Sequence, residues 1–247
     1  MMMNCNYFSF PGTRHLQAGQ ENEDRITVRA RGGITAAVLC DGAGSADFGA
    51  AAADLTGRVL ARLLTEEFDA LYESDPDLAR SRAIREVEQA LLDHSRAQGI
   101  EPRMLACTIL AAAAAEDGRC LCLHLGDGII FHRNREDPRL RVVSCPMTGL
   151  VPHSTYLTMN CDMSRYLRLY RFREPELSEL LLLTDGAAEH LVRLKDARGW
   201  VYTQPTSDLA RVHARLVRCG PRDDCSAVRI TRTPNQSISR RNPDVLQ

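Results

Sequence analysis

Three apolar runs in this chain each end in an Asp-Gly pair. Ala-Ala-Val-Leu-Cys precedes Asp41-Gly42, Cys-Leu-His-Leu-Gly precedes Asp127-Gly128, and Leu-Leu-Leu-Leu-Thr precedes Asp185-Gly186. A fourth acidic step, Asp223-Asp224, introduces the last apolar run, and Asn22-Glu23-Asp24-Arg25 lies upstream of them all. Buried strands that carry carboxylates to one place repel one another unless a cation or a proton compensates. The pattern therefore restricts the chain to folds in which several strand ends converge on a shared site that needs a cation.

A plainer explanation exists for each pair. Asp-Gly is a strong hairpin signal, and Asp is a common helix N-cap. Strand-like sequence lies on both sides of Gly126-Asp127-Gly128, so a hairpin turn is the expected geometry there. After Asp41 and Asp185 the chain reads as loop then helix, and no strand returns at once. Singly, each Asp is as compatible with a structural role as with a ligand. Together they form an oxygen-only set without His or Cys pairs, which favours Mg²⁺ or Mn²⁺ over zinc. Two such ions about 3.5–4 Å apart are a usual device for attacking phosphate esters.

The 247 residues allow one large domain or two small ones, and 44% apolar residues suffice for a substantial core. No repeat or linker divides the chain, so residues 1–232 are expected to form a single domain. The tail from Thr233 is polar with scattered Pro, a composition expected to be disordered. A formal net charge of -1 gives no global basic field for nucleic acid. The nine cysteines are odd in number, irregularly spaced and mostly inside apolar runs, as expected of reduced thiols rather than a disulfide framework. The N-terminus lacks the basic and apolar regions of a signal peptide, and no stretch approaches the ~18 apolar residues of a membrane span. A cytoplasmic monomer without nucleic-acid or membrane partners is expected.

Strands are expected at residues 5–10, 26–28, 35–40, 106–115, 119–125, 129–133, 140–144, 167–172, 180–184 and 226–231. The stretch from Gly12 to Glu23 reads as a loop. One helix is expected from Gly49 to Leu71, and a second follows the Asp75-Pro76-Asp77 break and runs to Gln98, where Gly99 can cap it. Shorter helices are expected at 187–194 and 208–219. The short connections of the central strands call for antiparallel pairing. The fold class is α+β, with two antiparallel sheets covered by helices.

At this point the residues match a family. Asn22-Glu23-Asp24-Arg25, Asp41-Gly42-Ala43-Gly44-Ser45, Thr108-Ile109-Leu110, Gly126-Asp127-Gly128, Leu183-Thr184-Asp185-Gly186 and Asp223-Asp224-Cys225-Ser226 occur in the order and at the intervals of the type 2C metal-dependent protein serine/threonine phosphatases. The chain resembles the small stand-alone bacterial members from about Gly12 to Thr231. The resemblance implies an α-β-β-α sandwich with two Mg²⁺ or Mn²⁺ ions at one end, and a third in some members. It implies that Asp41 bridges both metals, that the Gly42 carbonyl joins it on one ion, and that Asp185 and Asp223 bind the other. Glu23 or Asp24 completes the first shell, and Asp127 matches the ligand of the weaker third ion. The implied substrate is a phosphorylated protein, hydrolysed by a water activated between the metals without a protein nucleophile.

Two positions depart from the family pattern. Many members place an Arg three residues before the Asn-Glu-Asp motif to grip phosphate, and here that residue is Gly19. Some carry a His two residues after the bridging Asp to protonate the leaving group, and here it is Ala43. Arg14 and His15 are the candidates to take these catalytic roles, with water as the alternative proton source. A weakly active phosphatase-fold module that binds a partner is the alternative function. An aspartate-nucleophile phosphatase of the haloacid dehalogenase type is disfavoured, because its second Asp would fall at Ala43. The segment Cys145–Asn160 is expected to shape the rim of the site.

Overall fold

The computed structural model describes residues 2–137, 139–147, 155–196, 199–202 and 209–233. The expected tail beyond Thr233, the expected helix start at Asp208 and the middle of the 145–160 rim lie outside these residues. In chain order the first half contains β1 (Met2–Phe10), α1 (Thr13–Ala18), β2 (Arg25–Arg31), β3 (Ile34–Cys40), α2 (Gly49–Glu66), α3 (Phe68–Glu73) and α4 (Pro76–Gln98). Then come β4 (Ile109–Ala115), β5 (Arg119–Leu125), β6 (Ile129–Asn134), β7 (Arg141–Ser144), α5 (Met163–Tyr166), β8 (Arg168–Arg173) and β9 (Leu177–Leu183). The last elements are α6 (Asp185–Leu191), β10 (Val192–Asp196), β11 (Gly199–Tyr202), α7 (Leu209–Cys219) and β12 (Cys225–Thr233).

Two five-stranded antiparallel sheets dominate. One has the order β1-β12-β9-β6-β7 and the other β2-β3-β4-β5-β8. Period-2 alternation divides each central strand between two environments. Leu39, Ala112 and Cys122 of one sheet meet Leu180, Leu182 and Val228 of the other in the layer between the sheets. Val38, Ala111 and Leu123 face the opposite way, onto Leu60, Leu64 and Leu91 of α2 and α4. Leu181, Leu183 and Ala227 likewise face Leu191, Val212 and Leu216 of α6 and α7. The result is the expected α-β-β-α sandwich. Among the described residues no helix is long and apolar enough to cross a membrane.

The alanine run of β4 shows why packing outranks propensity. Ala is a poor strand former, yet Ala111 to Ala115 are all buried between β3 and β5. Small side chains on both faces allow close approach of the helix layer and of the second sheet. α4 begins as its sequence dictates: Pro76 occupies its first turn, and the Asp75 carboxylate accepts the Asp77 N–H at 2.8 Å. Asp75→Ala should lower unfolding free energy by about 1 kcal/mol, measured by urea titration with the slope unchanged.

Several expectations need correction. The segment after Gly12 contains α1 rather than loop throughout. The helix expected from Gly49 to Leu71 is two helices broken at Glu67, and that expected at 187–194 stops at Leu191 and passes into the β10–β11 hairpin. The Gly126-Asp127-Gly128 step is not a hairpin. β5 already has β4 and β8 as neighbours, so the chain crosses to the other sheet, where β6 pairs with β9 and β7.

Candidate active site

The strand ends expected to converge do so at one end of the sandwich. Where β3 ends, the Asp41 N–H donates to the Thr108 hydroxyl at 3.0 Å and its carbonyl accepts the Thr108 N–H at 2.8 Å. Gly42 pairs with Cys107 in an isolated antiparallel bridge. A Cβ on Gly42 would stand 2.6 Å from the Gly49 carbonyl carbon, and one on Gly49 would stand 2.8 Å from the Ala43 nitrogen. The loop thus lies directly on the first turn of α2, an approach that only glycine permits at these two positions. On the crossover between sheets, Gly126 has φ 115°, and the Thr155 hydroxyl donates to the Asp127 carboxylate.

A cavity of about 460 Å³ opens above these loops. Glu23, Asp41, Asp127 and Asp223 supply its acidic lining, and Gly42 to Ser45 contribute the loop. Arg14 and His15, both on α1, stand on its wall. Thr108, Thr155 and Leu157 complete it. The segment expected to form a rim therefore reaches the cavity through Thr155 and Leu157. Gly19 is exposed at φ 65° and ends α1.

Asp24, Asp185 and Asp224 are not among the lining residues. Asp24 is only 3% exposed and accepts the Thr184 hydroxyl at 3.3 Å. Asp185 opens α6 and accepts its neighbour's Gly186 N–H at 2.7 Å. The two acidic pairs are split in the same way. Glu23 and Asp223 turn to the cavity, while Asp24 and Asp224 turn inward. Successive residues of an extended segment point to opposite sides, but a sequence does not say which side is which. Asp224, given no role by sequence reasoning, is 3% exposed and accepts three hydrogen bonds, from Gly12 N–H, Glu23 N–H and the His15 ring.

The carboxylates act on one another. Burial pushes Asp41 well above its ordinary range, and the charges of Asp24, Asp185, Asp127 and Asp223 push it further. Burial, with Asp127 and Asp223, raises Asp185 to about 7. Burial raises Asp24 to about 7 against a lowering hydrogen bond from Ser226, with Asp224 and Asp185 adding to the rise. Asp127 is raised by burial, opposed by the Thr155 hydroxyl. Burial also raises Glu23, with His15 and Arg14 acting to lower it and the charge of Asp224 adding to the rise.

Such a group calls for a cation. Glu23 Oε2 and Asp24 Oδ1 are buried with no hydrogen-bond partner, as unshared oxygens beside an ion site would be. Among the described residues no three acidic, His or Cys side chains already close around a single point. The acidic groups border a cavity instead, and the donor set of carboxylates plus the Gly42 carbonyl suits hard divalent ions.

Sandwich and acidic cavity together define a PPM-type phosphatase architecture. Among solved structures, a bacterial serine phosphatase matches with a TM-score of 0.67 at 14% identity, over 95% of this chain and 100% of that one. Staphylococcus aureus serine/threonine phosphatase Stp1 matches with a TM-score of 0.66 at 16% identity, over 95% and 96%. RsbX in complex with magnesium matches with a TM-score of 0.59 at 12% identity, over 93% and 94%. No curated protein sequence matches the chain significantly. The model of the protein phosphatase 2C family matches residues 11–219, and the chain belongs to that family.

Proposed function

We propose that this protein is a divalent-metal-dependent phosphatase acting on phosphoserine and phosphothreonine in proteins. The observation that carries this reading is the convergence of Glu23, Asp41, Asp127 and Asp223 on one cavity, with Asp24 and Asp185 within electrostatic reach of Asp41. In this reading residues 1–232 work as one catalytic domain. Asp41, the Gly42 carbonyl and Glu23 would hold one Mg²⁺ or Mn²⁺, Asp185 and Asp223 with Asp41 would hold a second, and Asp127 would serve a third. Glu23 is preferred to Asp24 as the direct ligand because it lines the cavity, whereas Asp24 supports the site from behind. When bound, the ions supply an activated water and offset the negative charge of the phosphoryl group.

The chain's own residues supply the remaining functions. Arg14 is exposed on the cavity wall and offers its guanidinium fork to the non-bridging phosphoryl oxygens. His15 gives a proton to the departing serine or threonine oxygen. Thr108 fixes the backbone of Asp41, and Thr155 fixes the side chain of Asp127.

A phosphothreonine peptide should be hydrolysed with Mn²⁺ or Mg²⁺, and turnover should vanish on chelation and return on adding metal. Turnover that survives chelation, or an Asp185→Asn variant as fast as the parent, overturns the proposal. Metal binding without turnover of any phosphoryl ester would identify the partner-binding module instead.

A further inference from the structure

Asp224 is a buried acceptor on which two distant parts of the chain meet. Its Oδ1 accepts the Gly12 N–H at 2.7 Å and lies 2.9 Å from His15 Nδ1, while its Oδ2 accepts the Glu23 N–H at 2.7 Å. The donors come from either end of the segment that includes α1. That helix is only six residues long and has no side-chain cap of its own. Its first N–H groups instead donate to the Pro221 and Arg222 carbonyls, at 2.8 and 3.2 Å. The stretch leading into β12 therefore builds α1 and sets the orientation of its one buried residue, His15.

Both Asp224 oxygens already accept backbone N–H groups, so Asp224 faces His15 as an acceptor with Nδ1 as the donor, which leaves Nε2 as the ring nitrogen turned away from Asp224. The His15 ring is 10% exposed and lines the cavity. We propose that Asp224 is the positioning residue of the reaction, holding His15 by Nδ1 so that Nε2–H faces the phosphoester as proton donor to the leaving oxygen. This rests on the phosphatase reading above. In the step, a bond forms between water oxygen and phosphorus, the bond from phosphorus to the serine or threonine oxygen breaks, and the water's protons leave with the phosphate, which releases one to solvent. The Nε2 proton passes to that oxygen, giving the alcohol. His15 is left neutral with its proton on Nδ1, and a proton from solvent restores Nε2–H. A carboxylate behind an imidazole fixes its tautomer and orientation and stabilises its cation.

The test uses two esters that differ in leaving group. A phosphothreonine peptide expels a poor alkoxide and needs the proton, whereas p-nitrophenyl phosphate expels a stable phenolate and needs it little. In the full-length protein with Mn²⁺, His15→Gln and Asp224→Asn should each lower kcat on the peptide by about 10²-fold or more. The loss on p-nitrophenyl phosphate should be at least tenfold smaller than on the peptide. The double variant should be no slower than the worse single one, because the two residues act as a unit. Equal losses on both esters, or an Asp224→Asn variant that keeps peptide turnover, overturn the proposal. A parent that turns over neither ester with metal overturns the phosphatase reading as well. Nitrogen NMR of the parent gives an answer even where Asp224→Asn does not fold: neutral His15 should carry its proton on Nδ1, and a proton on Nε2 refutes the arrangement.

Discussion

Asp41→Asn should reduce Mn²⁺-dependent turnover by at least about 10³-fold, equivalent to about 4 kcal/mol of transition-state stabilisation, while raising the melting temperature of the metal-free protein at pH 8. The two effects share one cause. Asp41 stands at the cavity floor, where Asp24, Asp185, Asp127 and Asp223 all oppose its charge. A group whose pKa is raised by folding contributes stability below its unfolded pKa and loses it as pH rises through the folded value. At pH 8 the metal-free site therefore carries charge repulsion that a neutral Asn of the same shape removes. The same substitution deletes the ligand proposed to bridge both ions. Turnover under saturating Mn²⁺ and thermal melting in EDTA measure the two halves. Turnover within tenfold of the parent, or a melting temperature in EDTA below the parent's, contradicts the assignment.

Metal-free protein should lose stability as pH rises from 5 to 8, and Mn²⁺ should abolish or reverse that trend. Asp24 and Asp185 each move from an ordinary 3.8 to about 7 on folding. The sign follows from proton binding: above pH 4 the unfolded chain releases these protons, while the folded chain keeps them until about pH 7. A carboxyl raised this far costs the fold about 4 kcal/mol once it is fully ionised. The loss should therefore fall in the window between about pH 4 and pH 8. Divalent ions select the ionised carboxylates and stabilise the folded state by mass action. Urea titrations at pH 5, 6.5 and 8, in EDTA and in Mn²⁺, give the curve. A metal-free protein that gains stability between pH 5 and pH 8 is incompatible with this electrostatic picture.

Much of the sandwich was legible because its strands are marked locally. β3, β5 and β9 are apolar runs with clear ends, and α4 carries its own cap, its Pro at the start and its Gly at the end. The failures occur where the deciding partner is remote. α1 has too few residues to show a period, and it exists because Pro221 and Arg222, some two hundred residues away, accept its first N–H groups. Asp127 lies in a step that reads locally as a hairpin, and only the occupied edges of β5 send the chain into the other sheet. α6 gives way at Val192 because a short hairpin forms where helical sequence had been expected to continue.

The three Asp-Gly steps and the two acidic pairs determined, from the residues alone, that strand ends would gather carboxylates and that the gathering would call for a divalent cation. Charge at the end of an apolar strand is a local property, and its energetic consequence follows from burial whatever the topology. Tertiary structure alone decided which member of each pair faces the cavity. Glu23 and Asp223 turn outward. Asp24 and Asp224 turn inward, where one oxygen of Asp24 accepts the Thr184 hydroxyl and both oxygens of Asp224 are engaged by Gly12, His15 and Glu23. Alternation along an extended chain makes one residue of each pair point inward, but the choice between them is made by donors that only the folded chain brings within reach.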